Sequence, residues 1–103
     1  MALRGTRVLA DHPSLGEFFF DADVAPDGRR AVAVQEGRGS NRLVMVDLES
    51  GGISPLVGFQ DHVLWSYPRW SPDGRRIAVA RWTAGAYLDI VILFSANPAT
   101  YNR

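Results

Sequence analysis

Apolar residues fall along this chain in short runs, separated by breaks rich in Gly, Pro and Asp. Arg30 to Val34 and Arg76 to Ala80 are near-continuous stretches of Val, Ile and Ala, each launched by a Pro-Asp-Gly turn. Such runs predict strands covered on both faces, in mid-sheet between layers. Pro presets φ, Asp caps the turn and Gly supplies a positive φ, so a hairpin is expected at each turn. The Gly-rich reversals Glu36 to Asn41 and Thr83 to Ala86 then lead into β-branched runs at Leu43 to Leu48 and Leu88 to Phe94. Glu49-Ser50-Gly51-Gly52 turns into a poorer strand near Ile53 to Val57, where Pro55 predicts a sheet edge. With the strand that precedes each Pro-Asp-Gly turn and another at Thr6 to Ala10, eight short strands are predicted. Neither the periodicity nor the Gly and Pro content suits a helix.

The runs repeat. Val24-Ala25-Pro26-Asp27-Gly28-Arg29-Arg30-Ala31-Val32-Ala33-Val34 aligns with Trp70-Ser71-Pro72-Asp73-Gly74-Arg75-Arg76-Ile77-Ala78-Val79-Ala80 at an offset of 46, with Pro-Asp-Gly-Arg-Arg identical. Arg42 to Val46 matches Asp89 to Leu93 if the second copy carries one inserted residue. Gly5 to Leu9 corresponds to Gly52 to Leu56, and each is followed by an Asp-His pair, Asp11-His12 and Asp61-His62. Four-stranded units at this period, buried on both faces, fit stacked propeller blades better than a sandwich. The first blade is expected at about 18–57 and the second at about 65–94, with strand 6–10 able to complete the second sheet or that of a neighbouring chain.

Composition narrows the chemistry. A length of 103 residues allows one domain. Eleven Lys and Arg balance eleven Asp and Glu, so the net positive charge that draws proteins to nucleic acid or anionic membranes is missing. The absence of cysteine excludes a disulfide framework, a thiolate zinc site and a cysteine nucleophile. Residues Met1 to Gly5 lead straight into polar sequence, so no secretory signal is expected in this stretch. Ile90 to Phe94, the most apolar segment, is far short of a membrane span and reads as a buried strand. Asn97 to Arg103 has little to bury and is expected to form a flexible tail.

Trp70-Ser71-Pro72-Asp73-Gly74, followed by the apolar strand Arg76 to Val79, resembles the signature of TolB-type, WD-like propeller repeats. Val46-Asp47-Leu48-Glu49-Ser50-Gly51-Gly52 is similar to that family's third-strand ending, and the resemblance spans roughly residues 5 to 94. Two departures stand out. Val24-Ala25 replaces Trp-Ser in the first copy, and Phe94-Ser95 stands where the second would carry its Asp. The resemblance implies an all-β fold of two four-stranded antiparallel blades, part of a ring closed by further blades of a longer chain or by identical chains. It also implies a non-catalytic scaffold for a protein partner, without cofactor, in the periplasm or another extracytoplasmic setting. Similar blades serve as accessory propellers of prolyl-oligopeptidase-like serine peptidases, and a self-assembling two-blade unit is a further alternative.

The residues themselves offer little catalytic apparatus. No serine has the flanking glycines of a nucleophile elbow, and Gly37-Arg38-Gly39-Ser40-Asn41 reads as a hairpin loop. Asp21, Asp23 and Asp27 begin like a calcium loop, but the middle ligand is out of register and Val32 stands where the closing Glu belongs. Pro26, Asp27, Gly28, Pro72, Asp73 and Gly74 are read as turn formers, and Trp70, Ile77 and Val79 as blade packing. Asp11, His12, Asp61 and His62 are candidates for contacts on the ring face; the competing reading has each histidine side chain tie its loop to an adjacent strand. Arg29-Arg30 and Arg75-Arg76, with Arg69 and Arg81, read as solvated turn positions and as stems over the aromatics Trp70 and Trp82. Phe18-Phe19-Phe20 and Trp65-Ser66-Tyr67 are assigned to packing between blades.

Overall fold

The computed structural model describes residues 19–37 and 39–94. At the first Pro-Asp-Gly turn the Ala25 N–H donates to Arg30 O at 2.8 Å and the Gly28 N–H to Ala25 O at 2.9 Å, joining β1 (Phe19–Val24) to β2 (Arg30–Gly37). Gly28 sits at φ 74°, where a side chain would be strained. The second turn repeats this geometry. Ser71 N–H donates to Arg76 O at 2.8 Å and Gly74 N–H to Ser71 O at 2.9 Å, between β5 (Val63–Trp70) and β6 (Arg76–Thr83).

With β3 (Ser40–Asp47), β4 (Ile53–Val57) and β7 (Asp89–Phe94), the strands form two antiparallel sheets ordered β1-β2-β3-β4 and β5-β6-β7. The fold is all-β, with no helix among the described residues. β4 is an edge strand and carries Pro55. The expected strand at Thr6 to Ala10, the Asp11-His12 pair, Phe18 and the tail 97–103 lie outside the described residues.

Strand pairing carries the sequence repeat into three dimensions. Ala31 faces Val46 as Ile77 faces Leu93, and Val34 faces Leu43 as Ala80 faces Ile90. β2 and β6 are thus offset by 46 and β3 and β7 by 47, which puts the extra residue in the hairpin between β6 and β7. Both first strands bulge at the same place, between Phe20 and Asp23 and between Ser66 and Arg69. Asp21 and Tyr67 occupy those bulges at φ 57° and 55°.

Several boundaries differ from the sequence reading. β2 and β6 run on past Val34 and Ala80 to Gly37 and Thr83. Ser40 and Asn41 belong to β3 rather than to a loop, because their polar side chains are buried against hydrogen-bond partners on the second sheet. β3 ends at Asp47, whose Oδ1 accepts from the Glu49 N–H at 2.9 Å and the Ser50 N–H at 3.1 Å and so pulls the chain into its turn. β5 begins at Val63, ahead of the expected start near 65.

The main core lies between the sheets. Val32, Val34, Leu43 and Met45 of the first meet Trp65, Ile77, Val79, Val91 and Leu93 of the second, with Trp70 packed against them. On the other side of the first sheet Ala31, Ala33, Val44 and Val46 are also buried, so β2 is covered on both faces. β6 and β7 are not. Ile77, Val79, Val91 and Leu93 point into the core, but the opposite face leaves Trp82 52%, Ile90 64% and Phe94 45% exposed. The buried-strand reading of Ile90 to Phe94 therefore holds for one face only. Its alternate residues point away from the first sheet, and no third sheet covers them among the described residues.

Candidate interaction surfaces

The two sheets are held by polar clamps as well as by the core. Asn41, on β3, reaches across so that its Nδ2 donates to Trp65 O at 3.0 Å and its Oδ1 accepts from the Trp65 N–H at 2.7 Å. Ser40 Oγ lies 2.7 Å from Val63 O and 3.1 Å from Gln60 O. Asp21 Oδ2 accepts from the Tyr67 N–H at 2.6 Å, and Asp23 Oδ2 from the Trp70 N–H at 2.8 Å. β5 is an edge strand of its sheet, so the first sheet's side chains satisfy backbone groups that no neighbouring strand pairs.

The three aspartates that open like a calcium loop are thereby dispersed. Asp21 and Asp23 serve the second sheet, whereas Asp27 Oδ1 accepts from the Arg29 N–H at 2.9 Å within its own turn. Asp73 does the same for Arg75 at 3.0 Å and accepts from the Ser71 hydroxyl at 2.6 Å. That hydroxyl, more than the Arg75 N–H, holds its carboxyl below the ordinary Asp value. Pro26 and Pro72 are exposed at these turns. Trp70, Ile77 and Val79 stand in or against the core between the sheets.

At the other end of the strands, the β2–β3 hairpin, the β4–β5 connection and the β6–β7 hairpin come together. Phe59 in the connection is seated closely: a Cβ at Gly37 would lie 3.2 Å from its ring, and the Arg42 guanidinium lies 5.0 Å from the ring centroid. Asp61 and His62 follow, both exposed. The tie from this connection to the neighbouring strand runs through the backbone, with Ala84 N–H donating to His62 O at 2.9 Å, while His62 itself adopts φ 65°. His62 lines an open hollow of about 360 Å³ with Leu64, Trp82, Ala84 and Gly39. A second hollow of about 450 Å³ adjoins it through Gly39 and Leu64, and includes Glu36 and Asn41. This end combines apolar surface with exposed polar groups, a mixture suited to a protein surface.

The arginines meet the expected aromatics in part. Arg30 lies 4.9 Å from the Trp70 ring centroid and Arg81 6.0 Å from that of Trp65. Arg69 Nη1 instead donates to Pro68 O at 2.7 Å and lies 3.8 Å from Asp21. Of the two aromatic triplets, Trp65 is in the core and Phe19 packs on the outer side of the first sheet, whereas Phe20 and Tyr67 are exposed. Asn41, Ser40, Asp21 and Asp23 were missed as a set. Their available signal was polar residues flanking apolar runs in one copy with no counterpart in the other, where Tyr67 and Arg69 replace the two aspartates.

Repeated antiparallel sheets, stacked face to face and clamped strand to strand, define two blades of a β-propeller. No protein-family profile and no curated protein matches the sequence. Solved structures do match. TolB from Acinetobacter baumannii superimposes with a TM-score of 0.62 at 21% identity over 74% of this chain, and a putative TolB from Agrobacterium tumefaciens with 0.63 at 14% over 75%. The fold is that of a TolB-like propeller. The chain spans 18% and 30% of the lengths of those two proteins.

Proposed function

We propose that this chain is a portion of a non-catalytic β-propeller scaffold that engages a protein partner through the end bearing Asp61, His62 and Trp82. The observation that carries this reading is the open hollow where exposed Leu64 and Trp82 adjoin the solvent-facing His62 on a rigidly seated connection. Exposed aromatics beside polar groups on a fixed backbone are what protein interfaces favour. The absence of catalysis is supported by the carboxylates Asp21, Asp23, Asp27 and Asp73, which accept from backbone N–H groups rather than facing a cleft. A periplasmic setting belongs to the same reading and is supported by likeness to TolB alone. Further blades complete the ring: Ala78, Ala80, Ile90 and Ile92 are the repeat counterparts of Val32, Val34, Leu43 and Met45, by which the first sheet receives the second, whereas Trp82 corresponds to Glu36, which stays exposed beside that contact.

Site-specific photo-crosslinking tests the partner surface. A photoreactive residue at position 62, introduced into the protein expressed in its native host, is expected to form an adduct with another protein. The same residue at position 27, on the opposite end, is expected to form none. Equal labelling from both positions, or none from 62, would refute the proposal.

A further inference from the structure

On the outward face of the second sheet, at the Pro-Asp-Gly end, lies a hollow of about 220 Å³ lined by Arg69, Trp70, Ser71, Arg76, Ala78 and Ile92. Their repeat counterparts on the first sheet include the residues that hold Trp70. Asp23, Val24, Ala25, Arg30 and Val32 stand 46 positions earlier, and Met45 stands 47 earlier. In the first sheet that place is filled. Trp70 packs against the cluster containing Val32 and Met45, its Nε1–H donates to Asp23 O at 2.9 Å, and the Arg30 guanidinium lies 4.9 Å from its ring centroid.

We infer that the hollow is the seat for a tryptophan delivered by the next blade of the ring, from the end of that blade's first strand. Arg76 covers the indole as Arg30 covers Trp70, and the carbonyl of Arg69 accepts the indole N–H as that of Asp23 does. This rests on the reading that the outward face receives a further blade, and it adds the anchor by which that blade is held. A second copy of this chain is the poorer occupant. The residue its first sheet offers at the matching position is Val24, and the face that would dock is already buried at Ala31, Ala33, Val44 and Val46. One half of the first interface has no counterpart. Tyr67 and Arg69 replace the carboxylates of Asp21 and Asp23 that hold the incoming backbone, which leaves the indole as the chief anchor.

The test titrates the 103-residue chain with a synthetic peptide copying residues 63–76, the segment that already fills the equivalent seat on the first sheet, and follows backbone amides by NMR. Perturbations are expected at Arg69 to Ser71, Arg76, Ala78 and Ile92. Replacing the peptide's tryptophan by alanine is expected to weaken binding at least about tenfold, and Arg76→Ala in the chain about fivefold. Perturbation of Leu64, Ile90 and Phe94 that is indifferent to the tryptophan would sink the seat while leaving the docking face standing. No perturbation anywhere on the outward face would sink both. Protection of the same residues by self-association of the chain alone would make a second copy the occupant and overturn the inference.

Discussion

Asn41 and Trp65, 24 residues apart and on different sheets, are joined by two hydrogen bonds that use both polar atoms of the amide and both polar groups of one peptide unit pair. Both residues are buried, Asn41 at 6% and Trp65 at 2% exposure. Asn41→Ala is expected to cost about 2–4 kcal/mol, the penalty for stranding two buried backbone groups. Asn41→Asp keeps an acceptor for the Trp65 N–H but sets a carboxylate against the Trp65 carbonyl, and is expected to be no better. Urea denaturation of the purified chain measures both. A loss below about 0.5 kcal/mol for Asn41→Ala would show that the clamp does not hold the sheets together.

The contrast between this clamp and the turns shows what was legible in the chain. Pro-Asp-Gly states its own backbone geometry, because Gly28 and Gly74 need nothing beyond local sterics to reach φ 74°. Strand alternation and the 46-residue repeat are likewise local, and they led to the two sheets. Ser40 and Asn41 look like loop residues because their strand character depends on acceptors and donors 23 and 24 residues away. The exposure of Ile90 was illegible for a related reason. Its side chain matches that of a buried position, Leu43, and only the arrangement of layers tells the two apart.

Gly28 offers a separation of steric from conformational cost. A Cβ there would meet nothing within 4 Å, yet the residue holds φ 74°. Gly28→Ala is therefore expected to lose about 1 kcal/mol through backbone strain alone, and Gly28→Asn less, since Asn tolerates the left-handed region. Gly37 inverts the test: its φ is unexceptional, but a Cβ would press on the Phe59 ring at 3.2 Å. Thermal melts of the three variants should rank Gly28→Asn above Gly28→Ala, with Gly37→Ala shifting the Phe59 ring resonances where neither Gly28 variant does.

Acid should release the turns before the core. Hydrogen bonds from the Ser50 and Glu49 N–H groups hold the Asp47 carboxyl below its ordinary value, and the Ser71 hydroxyl with the Arg75 N–H does so for Asp73. As pH falls, the unfolded chain takes up protons at these groups before the folded chain does. Their contribution is thus whole above the ordinary Asp value of about 4 and is lost as pH drops from there through the lowered folded values. Asp47→Asn keeps an oxygen acceptor but cannot titrate. Its stability, followed by chemical denaturation, is expected to fall less steeply below about pH 4 than that of the native chain; parallel curves would show that this carboxylate is not coupled to folding.

The two copies of the repeat place chemically similar side chains in opposite environments, and paired substitutions expose the difference. Leu43 and Ile90 are counterparts, each opposite the equivalent residue of its sheet, Val34 and Ala80. Leu43 is fully buried between the sheets, whereas Ile90 is 64% exposed. Leu43→Lys puts an unpaired ammonium into the core and is expected to unfold the chain, since such a buried charge costs more than a small domain's margin of stability. Ile90→Lys leaves its ammonium in water and is expected to change stability by no more than about 0.5 kcal/mol, while lowering any tendency to associate through the outward face. Circular dichroism and light scattering on the two proteins decide the matter. If Ile90→Lys were as damaging as Leu43→Lys, the outward face would already be covered in solution by another layer.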